Sequence, residues 1–180
     1  MNNSLLSSAL LFVFASFVIA GCSGGEEVEG QKYKNGIHRF SMIFPEGWEV
    51  TEQYGEDEPV VAASKLDPED PEFMLAYITV EVIELPDKPG LDEYFNFIRK
   101  QQSHEASYYS EHGYGEIKIN GRKAMYHFFD VDFEDTYVRL LGYTLVKKDR
   151  GYLITCGAEP EDFSTYHDIF RHSAYTFRID

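Results

Sequence analysis

The chain has only two cysteines, Cys22 and Cys156, and a single tryptophan among its 180 residues. Two cysteines cannot build a disulfide framework, so apolar packing must hold the fold. Basic residues are scarce as well: 16 Lys and Arg stand against 31 Asp and Glu, for a formal net charge of −15. Phosphate recognition needs clustered bases, so this balance argues against nucleic acid as a partner. No uninterrupted apolar run reaches the roughly 18 residues of a membrane-spanning helix. There is no GxSxG elbow, no P-loop and no dinucleotide fingerprint. His104-Glu105-Ala106-Ser107-Tyr108 begins as an HExxH zinc motif, but Tyr108 stands where the second ligand belongs. What the chain does have is 43% hydrophobic and 16% aromatic residues. That is enough for one globular domain with its own core, and too aromatic for a disordered acidic tail.

Residues 1–21 contain no Asp, Glu, Lys or Arg. Within them Ala9–Ala20 is apolar apart from Ser16, which is the length of a secretory h-region and too short for a permanent span. The stretch ends in Ile19-Ala20-Gly21-Cys22, which resembles the lipobox of bacterial lipoprotein signal peptides. The resemblance implies cleavage before Cys22, a diacylglyceryl thioether on its sulfur, and acylation (palmitate or a similar chain) of the new N-terminus. Several acyl chains anchor stably, at about 0.8 kcal/mol per buried CH₂. The expected location is therefore the cell envelope. Ser23 resembles outer-membrane sorting where two membranes exist; with one membrane, the chain sits on the outer face of the plasma membrane. Residues 22–36, rich in Gly and charge, read as a flexible tether, and 37–180 as one domain. Net charge alone predicts repulsion from anionic headgroups, so the tether would hold the domain there. If Cys22 is lipidated, Cys156 is left unpaired, and in its apolar strand it reads as a small buried hydrophobe.

Hydrophobic alternation predicts strands over 37–44, 48–53, 60–66, 73–85, 116–119, 122–133, 136–147 and 152–157. Phe44-Pro45-Glu46-Gly47 suits a type I turn, and Asn120-Gly121 the type I′ turn of a hairpin. Between them Leu91, Tyr94, Phe95 and Ile98 fall at helical spacing and predict an amphipathic helix over 91–106. It frays in 108–115, which reads as a loop. A second helix follows Pro160, with Phe163, Tyr166 and Phe170 on one face. Short connections imply an antiparallel sheet of about seven strands with helices packed on its faces, an α+β fold.

This order, with the opening Phe40-Ser41-Met42-Ile43-Phe44-Pro45-Glu46-Gly47-Trp48, resembles the PsbP/DcrB-like superfamily. The resemblance covers residues 37–180 and implies an α/β/α sandwich. It also implies binding or assembly work without a shared catalytic residue set. No family site residue matches, so no cofactor is expected.

Three groups of side chains are candidates for function. Acidic clusters lie at Glu56–Glu58, at Asp67–Glu72, and at Asp130, Asp132, Glu134 and Asp135. Asp130 and Asp132 share a strand face and are candidates for weak divalent-cation binding, although the EF-hand spacing is absent. Tyr108, Tyr109 and Tyr114 read as an aromatic loop that could contact a partner. His104, Glu111 and His112 are placed to converge near a helix end, and His127, on an apolar strand face, reads as a satisfied core histidine. The leading functional expectation is a lipid-anchored envelope lipoprotein with a non-catalytic binding or assembly-assisting module. Its partners are the membrane, through Cys22, and an envelope protein complex. The alternatives are a hydrolase using His104, His112, Asp130 or Asp132 in a concave site, and a cation binder.

Overall fold

Alternation of apolar and polar side chains, clearest in β2 (Phe40–Phe44) and β5 (Met74–Glu84), turns one face of each strand to the core. The computed structural model describes residues 29–53, 59–133 and 136–180. Cys22, Glu56–Glu58, Glu134 and Asp135 lie outside the described residues. The smaller sheet joins β1 (Gln31–Asn35), β2 (Phe40–Phe44) and β10 (Arg178–Ile179), in the order β1-β2-β10. The larger is built from β3 (Glu49–Glu52), β4 (Val61–Leu66), β5 (Met74–Glu84), β6 (Tyr108–Ile119), β7 (Arg122–Phe133), β8 (Thr136–Lys147) and β9 (Arg150–Ala158). Its seven strands run in the order β3-β4-β5-β9-β8-β7-β6, with every pair antiparallel. Helix α1 (Leu91–Glu105) covers one face; α2 (Phe163–Tyr175) and the smaller sheet cover the other.

The main core lies under α2. Alternate residues of the central strands point into it: Ile78 and Val80 from β5, Ile154 and Cys156 from β9, and Leu141, Tyr143 and Leu145 from β8. Phe40, Met42 and Phe44 of β2 close it from above, with Phe163, Phe170 and Ala174 of α2. Trp48 meets Tyr166 and Phe170 edge-on, at centroid distances of 6.1 and 6.3 Å. The segment Phe40–Trp48 thus clamps the end of β2 against α2. On the opposite face, Tyr94 and Ile98 of α1 pack with Leu85 and Leu153. No helix among the described residues is long and apolar enough to cross a membrane.

The sheet and both helices match the α+β reading, with four differences. Residues 31–35, read as tether, form β1, paired along their whole length with β2; Tyr33 is the one apolar side chain on the inward face, while Lys32 and Lys34 face out. The strand expected over 37–44 starts at Phe40; before it the chain turns, with Arg39 at a φ of 57°. The next turn runs one residue later than expected: Trp48 N–H donates to Pro45 O, and Gly47 has φ 75°, the positive angle of a type II turn. Residues 108–115 are strand, not loop. Asn120 and Gly121, at φ 47° and 74°, form the expected type I′ turn.

Two glycines of β9 make room for tyrosine rings. A Cβ on Gly151 would lie 2.5 Å from the Tyr94 ring, and one on Gly157 would lie 2.5 Å from that of Tyr77. The Tyr94 hydroxyl is buried there without a hydrogen-bond partner. Gly151→Ala should therefore lower stability by about 1–3 kcal/mol through overpacking. Tyr94→Phe, which removes only the orphan hydroxyl, should leave stability unchanged or raise it by about 1 kcal/mol. Urea unfolding of the two variants beside the parent measures both signs.

Candidate functional site

The far half of the larger sheet gathers most of the candidate side chains. Neighbouring residues of a strand point to opposite faces, so placing 108–115 in β6 splits the three tyrosines. Tyr109 and Tyr114 lie opposite Val131 and His127, on the face that α1 covers. The bulge between Glu111 and Gly113 keeps Tyr114 on that face. Tyr108 lies opposite Asp132 on the other face, where it meets Tyr137 edge-on at 5.8 Å. They form no single aromatic loop.

Under α1 a polar network joins helix to sheet. Arg99 grips Glu111 through Nε to Oε2 (2.5 Å) and Nη2 to Oε1 (3.1 Å), and its guanidinium lies 3.9 Å over the Tyr114 ring. His127 stacks on Phe129 at 4.2 Å and is only 3% exposed. Its Nδ1 lies 3.3 Å from Gln102 Oε1, and its Nε2 lies 2.8 Å from the Tyr109 hydroxyl and 3.3 Å from Glu111 Oε2, to which that hydroxyl donates (3.1 Å). Burial pushes the imidazole down to about 4, against the pull of nearby Glu111. Burial works against the Glu111 carboxylate too, but hydrogen bonds from Arg99 and Tyr109 hold it below the usual range.

On the other face Asp130 is the hub. Arg139, directly opposite on β8, donates Nε to Oδ1 (2.6 Å) and Nη2 to Oδ2 (2.8 Å). His112 Nε2 lies 3.0 Å from Oδ2, and the Tyr137 hydroxyl donates to the same oxygen (3.2 Å). The Arg139 hydrogen bonds, chiefly, push Asp130 down to about 2. Both oxygens of this cation-ligand candidate are thus occupied. Asp132 differs: its Oδ1 is buried without a hydrogen-bond partner. Among the described residues, no group of three or more His, Cys, Asp or Glu could hold a metal ion.

The remaining candidates scatter. Glu111 and His112 project into different networks, and His104 is exposed in the last turn of α1, bonded to neither. His167 pairs with Asp168 (3.2 Å) on α2. Cys156 is fully buried, and burial raises its thiol far above the ordinary value. An open groove of about 740 Å³ lies between the Pro45–Trp48 turn and α2. Ile43, Trp48, Ile169 and His172 line it, and none of His104, His112, Asp130 or Asp132 does. The pairing of Asp130 with Arg139 was missed from sequence, although a two-residue connection at 134–135 already sets those positions opposite each other. The Arg99–Glu111 contact carried no such signal.

No known family profile matches the chain, and no curated protein does. Solved structures do. CyanoP, the cyanobacterial PsbP of Synechocystis sp., superposes with a TM-score of 0.62 at 16% identity, covering 89% of this chain and 99% of its own. LpqN of Mycobacterium tuberculosis, described as involved in cell envelope biogenesis, gives 0.60 at 11% identity over 86% and 87%. The Ran-binding protein Mog1p of Saccharomyces cerevisiae gives 0.57 at 11% identity over 84% and 95%. The architecture is an antiparallel α+β sandwich. Within that class the chain has the PsbP-like fold.

The two networks set two windows of acid sensitivity. His127 is neutral in the fold, so its stabilisation is complete above the free value of 6.5 and is lost as pH falls towards about 4. Asp130 is charged in the fold, so its contribution holds above 3.8 and is lost towards about 2. Thermal melts from pH 7 downward should fall in two stages. His127→Gln should flatten the first and Asp130→Asn the second.

Proposed function

We propose that the chain is a lipid-anchored envelope protein whose PsbP-like domain binds or assembles other proteins rather than transforming a substrate. The observation that carries this reading is the use of the reactive side chains. Asp130, Glu111 and His127 are spent in internal hydrogen bonds, and Cys156 is sealed in the core. Groups so committed stabilise a shape and hold it rigid. The fold adds weight, since it is shared with a Ran-binding protein and a protein of envelope biogenesis. The anchor rests on Ile19-Ala20-Gly21-Cys22, which resembles a lipobox.

Membrane fractionation of the parent beside Cys22→Ala tests the anchor. The parent should pellet with membranes and the variant should not; a variant that pellets fully means an uncleaved apolar anchor instead. Cross-linking of the anchored chain should then capture a partner reproducibly, and recovery as a lone monomer refutes the binding role.

A second reading, weak divalent-cation binding, rests on the unpartnered buried oxygen of Asp132. Binding to the native state must stabilise it. Millimolar Ca²⁺ or Mn²⁺ should raise the melting temperature of the parent and not of Asp132→Asn. An unchanged melt removes this reading.

A further inference from the structure

The net charge of −15 is not spread evenly. On β2, Ser41 is the common partner of Lys34 on β1 and Arg178 on β10, so these three side chains form a row across the smaller sheet. Lys32, two residues before Lys34, shares that face. It is the outer face, because Phe40, Met42 and Phe44 point inward to the core. At one end of the sheet the β1–β2 turn meets the β8–β9 turn. There Arg39, Lys147, Lys148 and Arg150 line a single concavity with Asp149 and Asp180. Seven of the chain's 16 basic residues thus occupy one outer face and the turn beside it.

Among those cations sits Ile37, 77% exposed, the most exposed large hydrophobic of the described residues. It is held in place, not loose: Arg150 Nη1 donates to Ile37 O (3.2 Å), and the Tyr152 hydroxyl donates to His38 O (3.1 Å). Asp149 and Asp180 share the concavity. Asp180 pairs with Lys34 at 3.1 Å in an exposed contact, and Glu84 lies opposite Arg150. An exposed pair of this kind is weak and yields readily to a competing anion.

An exposed apolar tip beside a group of cations fits one surface chemistry: phosphate headgroups over an acyl layer. We infer that the outer face of the β1-β2-β10 sheet, with the adjoining β8–β9 turn, docks on anionic phospholipid, with Ile37 entering the interface and the cations meeting the phosphates. The inference rests on the envelope reading proposed above. Chain length permits it. Nine residue-to-residue steps lead from Cys22 to Gln31, a reach of up to about 31 Å. The five residues of β1 take up about 16 Å. A lipid on Cys22 and a docked Ile37 can therefore share one membrane. Net charge alone forecasts repulsion at every face, whereas this distribution turns the cationic face towards the membrane and the acidic bulk away.

The test uses the full chain purified from membranes with its lipid, carrying Ile37→Cys labelled with a polarity-sensitive dye. Cys156 is buried and does not compete for label. The protein is placed in vesicles of phosphatidylcholine alone, or with one third phosphatidylglycerol. Dye emission should shift to the blue on the anionic vesicles only. The shift should vanish in about 1 M salt, where the screening length falls to about 3 Å. Lys34→Gln and Arg178→Gln, both exposed and checked for an unchanged melt, should each lower the docked-to-free ratio about fivefold.

Equal emission on both vesicle types, with the protein pelleting on both, overturns the docking and leaves the anchor standing. A purified chain that carries no lipid refutes the anchor. The same labelled chain is then floated with vesicles: flotation with anionic vesicles alone upholds the docking, and its absence ends it. A blue shift on inorganic phosphate without vesicles assigns the face to a soluble anion. Cross-linking from position 37 to an acidic protein, with no vesicle shift, assigns it to that partner. Either of these overturns the inference.

Discussion

Three rings hold the two sheets together. Phe40 of β2 stacks on Phe177, just before β10, at 5.3 Å, and Tyr152 of β9 meets both edge-on, at 6.4 and 5.7 Å. All three are buried. They come from the start, the end and the centre of the fold, so their contact closes the chain on itself. Aromatic pairs of this geometry add about 0.5–1.5 kcal/mol each beyond their buried area. The smaller sheet has only three strands, one of them two residues long, and could not stand alone. Its outward row of cations has a fixed arrangement only because its inward row of rings is anchored.

The two polar networks play a similar part on the other half of the larger sheet. Arg99 and Gln102 tie α1 to Glu111 and His127, and Arg139 ties β8 to β7 through Asp130. Within these two networks Glu111, His127 and Asp130 each have hydrogen-bond partners, so the arrangement adds rigidity at little desolvation cost. These same titratable side chains hold the edge of the sheet in place.

Much of this architecture was legible in the sequence where one period ran without interruption. Helix α1, with Tyr94, Phe95 and Ile98 at helical spacing, ends within one residue of expectation. Strands β7 and β8 start and stop where their alternation does, and Asn120-Gly121 marks the hairpin before them. Strand β6 was legible only over 116–119: earlier its bulge shifts the phase of alternation between Glu111 and Gly113, and two glycines dilute the pattern. Strand β1 was lost because its inward side is nearly bare: Tyr33 alone supplies the apolar signal between two lysines. The three tyrosines, grouped in sequence as one loop, are separated by the strand. Sequence spacing puts Tyr108 beside Tyr109, and the strand then sends them to opposite sides.

The burial of Cys156 has a consequence for the route such a chain would travel. A thiol ionises before it attacks, and this one is kept protonated by its surroundings and out of reach of solvent. A polypeptide folding among oxidants and foreign disulfides would be at risk only while unfolded. Once β9 is seated, the sulfur is inert to oxidative cross-linking, and a lone cysteine becomes compatible with life outside the reducing cytosol.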